Sequence, residues 1–107
     1  MKITIFDIIS SEYAVNYEDG KFLFEAIKAL KNKSFTISFV GITRVSTLFL
    51  NESIGKFILQ NPKSADSIDF IYPLEKPLVK KKVEDVIENA LMGEEYDKLI
   101  NAAKIAL

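Results

Sequence analysis

Cysteine and histidine are both missing from this chain. Without cysteine there is no disulfide framework, no thiol nucleophile and no thiolate metal site. Without histidine the commonest general base and metal ligand is gone. Both absences fit a reducing cytoplasm, the expected location. A long apolar run is missing too. The most apolar stretch, residues 35–50, contains Arg44 and several hydroxyl residues and is too short and too polar to span a bilayer, so no membrane partner is expected. The opening residues 1–9 are interrupted by Thr4 and Asp7 and carry no small-residue cleavage site, so they do not read as a signal peptide. Nor is there an excess of charge: 14 Lys and Arg face 15 Asp and Glu, for a formal charge of -1. That balance argues against a nucleic-acid partner, because phosphate binding needs a basic excess or a basic stripe. No glycine-rich phosphate loop, internal repeat, low-complexity tract or separating linker is present.

What remains is the composition of one small α/β domain spanning residues 1–107, with 49% apolar residues for a core and 27% charged residues for a solvated surface. Residues 2–9 read as a first strand, running on as a hairpin toward Tyr13-Ala14-Val15. Glu18-Asp19-Gly20 reads as a helix start with Asp19 as the cap, followed by Phe22, Leu23, Ala26, Ile27 and Leu30 at helical spacing. Residues 35–40 are β-branched and aromatic and form the best candidate for a central strand. Beyond the Gly41 turn, Ser46 or Thr47 caps a second helix to about Gln60, with a core stripe of Leu50, Ile54, Phe57 and Ile58. Asn61-Pro62 stops it. Residues 67–72 read as another strand. Pro77 opens a helix with Val83, Val86, Ile87, Ala90 and Leu91 on one face, and Gly93 closes it. A final helix, residues 94–107, carries Tyr96, Leu99, Ile100 and Ala103 and reads as a C-terminal extension. This alternation predicts an α/β fold with a mainly parallel or mixed sheet and helices packed on it.

Few residues form constellations that carry chemistry. Asp19 and Gly20, at a helix start, are candidates for anion binding, with a plain cap as the bland alternative. Ser46 and Thr47 are candidate phosphorylation sites, because a helix N-terminus favours added negative charge; the alternative is an ordinary N-cap. Leu48 and Phe49 follow in the first turn. A helix whose stripe lies on Leu50 and Ile54 does not readily bury both, so one is expected at the surface as part of a protein interface; burial under the sheet is the alternative. Asn51 and Glu52 lie one turn further on, and Glu52 without a partner acid, metal or histidine is a poor catalyst. The run Lys80-Lys81-Lys82 is flanked by Glu75, Glu84 and Asp85 and reads as a solvated helix start.

Three segments carry a resemblance. Ala14-Val15-Asn16-Tyr17-Glu18-Asp19-Gly20, Ile37-Ser38-Phe39-Val40-Gly41-Ile42 and Thr47-Leu48-Phe49-Leu50-Asn51-Glu52-Ser53-Ile54-Gly55 resemble the STAS-like domain family of unknown function, related in outline to anti-sigma-factor antagonists. The third matches a hydroxyl–x–Phe–Leu–Asn–x–x–Ile–Gly pattern. Val86-Ile87-Glu88-Asn89-Ala90 is a weaker echo. The resemblance implies a STAS-like fold, a small mixed sheet of about four strands with helices packed mainly on one face, and, for the antagonists themselves, docking on a kinase-like anti-sigma factor that is switched off by phosphorylation of a serine at the start of the helix after the central strand. That position falls here on Leu48, which accepts no phosphate, with Thr47 as the hydroxyl before it and Ser46 where an aspartate is usual. The binding surface is therefore the safer inheritance. Ser46, Thr47, Leu48, Phe49, Asn51 and Glu52 are the expected contacts. A histidine-kinase-like ATPase is the partner class the resemblance implies. The expectation is a non-enzymatic regulatory binding module with no cofactor and no metal, with a small-ligand or nucleotide-sensing domain as the alternative. A homodimer through the sheet edge or the C-terminal helix stays open.

Overall fold

A computed structural model of the chain describes residues 1–30 and 34–93. The chain enters as β1 (Lys2–Thr4) and turns at once into α1 (Ile5–Ile9), where a continuing strand was expected. Ile5, Ile8 and Ile9 stand at helical i, i+3, i+4 spacing, so the run satisfies both periodicities, and burial decides between them. Ile5 is fully buried and Ile9 packs on the core. Ser10 ends the helix in the left-handed region, its N–H donating to the Phe6 carbonyl at 2.8 Å.

No hairpin follows. β2 (Tyr13–Ala14) pairs in parallel with β4 (Arg44–Val45), in a sheet separate from β1. Between them in sequence lie α2 (Tyr17–Ala29) and β3 (Phe35–Ser38). β3 is the centre of a second parallel sheet, flanked by β1 and by β5 (Ile68–Ile71). The described residues thus hold five strands in two parallel sheets, of three and two strands, rather than one mixed sheet of about four. Register places Ile3, Ile37 and Phe70 in one row, with Phe35 and Ile68 on the same face. This face joins the helices in the core; Lys2, Asp69 and Ile71 on the other face are exposed.

The cap of α2 lies three residues before the expected one. Asn16 is the N-cap: its Oδ1 accepts from the Asp19 N–H at 2.8 Å, and its Nδ2 donates to the Asp19 carboxylate at 3.1 Å. Asp19 is therefore the third helical residue. The buried stripe is Gly20, Leu23, Phe24 and Ile27; Phe22, expected in it, is 61% exposed because it lies about 200° from Gly20 around the helix.

The second major helix runs as expected from its Ser46 cap to Gln60, but not as one regular α-helix. It comprises α3 (Thr47–Leu50), a π-helical turn (Asn51–Gly55) and α4 (Lys56–Gln60). A 3-10 turn (Pro62–Ser67) leads to β5. α5 (Pro77–Met92) starts at Pro77 and is closed by Gly93, as the sequence predicts. Val79, Val83 and Val86 are its buried face, while Leu91 is 50% exposed. The final helix expected over 94–107 lies outside the described residues.

Candidate functional site

The tip of α3 is fixed by one hydroxyl. Ser46 Oγ accepts from the Phe49 N–H at 3.0 Å, capping the helix, and donates to the Val15 carbonyl at 2.6 Å. A second tether comes from α5, where Lys82 Nζ donates to the Val45 carbonyl at 3.0 Å. That contact corrects the view of the 80–82 run as wholly solvated. Lys80 and Lys81 are exposed, and Lys81 pairs with Asp85 at 3.7 Å.

The two apolar residues after the cap go opposite ways. Phe49 is 0% exposed and belongs to the core, whereas Leu48 is 50% exposed. Phe49, expected among the contact residues, therefore drops out of the accessible surface. It turns inward because it is in line with the buried Ser53, four residues on, and abuts α2. Thr47 and Asn51 are exposed and Glu52 is half-buried, so Thr47, Leu48, Asn51 and part of Glu52 form one accessible strip.

Two glycines bring this strip against its neighbours. A β-carbon on Gly20 would lie 2.9 Å from both the Phe49 carbonyl oxygen and Glu52 Cβ. One on Gly55 would lie 3.0 Å from Val86 Cγ1 and 3.3 Å from the Leu50 carbonyl oxygen. The π turn is thus held between α2 and α5 at near-backbone distance. Inside it, the Lys56 N–H reaches back five residues to the Asn51 carbonyl, and the buried Ser53 hydroxyl donates to the Phe49 carbonyl at 2.7 Å. Ser53 thus gives the Phe49 carbonyl a buried side-chain donor.

Asp19 and Gly20 do not form an open anion cradle. The Asp19 N–H is taken by Asn16 Oδ1, the Gly20 N–H donates to the Asn16 carbonyl at 3.2 Å, and Gly20 is buried against the α3 region.

A groove of about 510 Å³ opens beside the strip. Tyr17 of α2, Asn51 and Glu52 of the π turn, Leu59 of α4, and Val86 and Asn89 of α5 line it. Tyr17 and Asn89 escape a sequence reading because they come from distant segments. The one early signal is Gly55, an isolated glycine inside the expected second helix, which points to a packing neighbour there. A smaller cavity of about 340 Å³ lies between β4 and the start of α5, among Arg44, Lys76, Leu78 and Lys82. Just past the C-terminal end of β5, Tyr72 stacks on Phe39 and Phe70, with ring centroids 5.8 and 5.9 Å away. Burial, with a smaller contribution from the Glu84 carboxylate, pushes its phenol up to about 12. None of the helices among the described residues is long and apolar enough to cross a membrane.

A family model described as the STAS-like domain of unknown function (DUF4325) matches residues 19–72. The matched span runs from the first turn of α2 to the end of β5 and contains Gly20, the Ser46 cap, Leu48, the π turn and Gly55. The weaker echo in α5 lies outside it. No curated protein and no solved structure matches the chain. With half of its length inside the family's pattern, Gly20 and Gly55 among the matched residues, the chain belongs to the STAS-like domain family of unknown function.

Proposed function

We propose that the chain is a non-catalytic regulatory module that binds a protein partner through the start of α3. The observation that carries this reading is the split between Leu48 and Phe49. A leucine half in solvent stands on a helix tip whose cap, flanking carbonyls and neighbouring aromatic are all fixed by the fold. A rigid apolar anchor beside polar groups loses little entropy on docking, which is what an interface needs. Thr47, Asn51 and the outer part of Glu52 supply the polar rim. The lack of histidine and cysteine supports the non-catalytic part. The partner class the family resemblance implies is a histidine-kinase-like ATPase. Of the two candidate hydroxyls for a phosphate switch, Thr47 is the one this reading favours. It is exposed on the docking strip, whereas Ser46 Oγ is engaged in two hydrogen bonds.

Affinity capture with the tagged full chain and with Leu48→Asp, both verified as folded by circular dichroism, tests the reading. A partner retained by the parent and lost by the variant is expected. The same partner held equally by both overturns it. A second reading, a small-ligand sensor, draws on the groove beside Asn51 and Glu52. A thermal-shift screen with nucleotides and phosphorylated metabolites tests it, and the Glu52 carboxylate in that groove works against such anions.

A further inference from the structure

The groove beside the α3 strip has a definite chemistry. Its volume of about 510 Å³ falls in the ordinary range for a binding cleft, roughly 300–1,000 Å³. It sits on a π-helical turn, a rare feature that is frequent at functional sites. Leu59, Val86 and Ala90 give an apolar wall. The polar lining is the Glu52 carboxylate, an acceptor only, with the side-chain amides of Asn51 and Asn89, which accept as well as donate, and Tyr17.

The cation in this lining is turned away. Lys56 Nζ stands 4.7 Å from the centroid of the Phe24 ring, and Phe24 is not part of the groove. Among the described residues, Glu52 makes no ion pair. A half-buried glutamate and two side-chain amides lining the same groove as Leu59 and Val86 complement a positive head on a methylene stem. Such a site repels phosphate and carboxylate ligands for the same reason.

We propose that this groove receives a lysine side chain of the protein partner, its methylenes on Leu59 and Val86 and its ammonium at Glu52. The proposal rests on the docking reading above, because Asn51 and Glu52 belong both to the α3 strip and to the groove, so one partner can occupy both.

The test is an amide-resolved NMR titration of the full chain with the peptide acetyl-Ala-Lys-Ala-amide. The control peptide carries norleucine, which keeps the stem and lacks the ammonium. The lysine peptide is expected to move the Tyr17, Asn51, Glu52, Gly55 and Asn89 amides with millimolar affinity. Norleucine in the peptide, or Glu52→Gln in the protein, weakens the response by about fivefold or more, the worth of one partly desolvated charge contact. Equal responses to the two peptides, shifts located elsewhere, or no response at tens of millimolar overturn the proposal. Groove amides that move with protein concentration alone identify a second copy as the occupant and overturn it as well. Loss of the captured partner in Leu48→Asp without any lysine response removes the groove assignment and leaves the docking surface standing. A lysine response with the partner still held by Leu48→Asp removes the docking surface instead.

Discussion

A methyl group on Gly20 would stand 2.9 Å from the carbonyl oxygen of Phe49, so α2 and the α3 helix meet at backbone distance. The carbonyl cannot swing aside, because it also accepts from the Ser53 hydroxyl at 2.7 Å inside the π turn. Gly20→Ala therefore sets overpacking, at about 1–3 kcal/mol, against a helix-propensity gain of about 1 kcal/mol. Because the 2.9 Å contact is with a backbone atom, the upper half of that range applies, and a net loss of about 1–2 kcal/mol is expected, measured by urea denaturation. An unchanged or raised midpoint would mean that the two helices separate easily.

Leu48 and Phe49 are predicted to respond in opposite ways. Phe49→Ala empties a fully buried site and costs about 3–5 kcal/mol. Leu48→Asp changes an exposed position in a first helical turn, where a carboxylate is favoured, and alters stability by less than about 0.5 kcal/mol. Thermal denaturation of both variants checks the pair. Comparable losses would place Leu48 in the core as well.

Ser46→Ala removes a cap and strands the Val15 carbonyl together. The expected cost is about 1–3 kcal/mol, the sum of a lost N-cap and a partly buried unpaired acceptor. Hydrogen exchange supplies the sharper readout: the Phe49 amide, which the hydroxyl holds at 3.0 Å, should lose protection first.

Much of this region was legible because capping chemistry is local. Pro77 at the first position of α5 and Gly93 at its end stand where the sequence places them, and of the two hydroxyls it offers as cap of the second helix Ser46 takes the role, since each acts on backbone groups within one turn. Residues 5–9 were not legible, because Ile5, Ile8 and Ile9 fit a strand and a helix alike and burial against distant elements decides. The choices between Leu48 and Phe49, and between Phe22 and Phe24, fail for a related reason. Each pair is apolar, and helix azimuth sorts them only once the neighbouring helix is in place. The π turn and the groove depend on Gly20, Gly55, Tyr17 and Asn89 meeting from separate segments, which no local pattern encodes.

Tyr72 gives a prediction in pH. Its phenol is pushed up to about 12 by burial and by Glu84, so the folded state holds this proton above the ordinary value of 10.0. The unfolded chain releases it near the ordinary value. The stabilising difference is therefore fully present below pH 10 and is lost as pH rises toward 12. Absorbance titration should show a late tyrosine step near pH 12, and Tyr72→Phe should remove that step. A late step that survives in Tyr72→Phe would contradict the assignment.

The most direct test of the docking surface is photo-cross-linking from single positions in the cells that make the protein. A photoreactive residue at Leu48 is compared with one at Phe22, which is 61% exposed and points away from α3. The account predicts a discrete protein adduct from position 48 and none of that mass from position 22. The same adduct from both positions, or from position 22 alone, would contradict it.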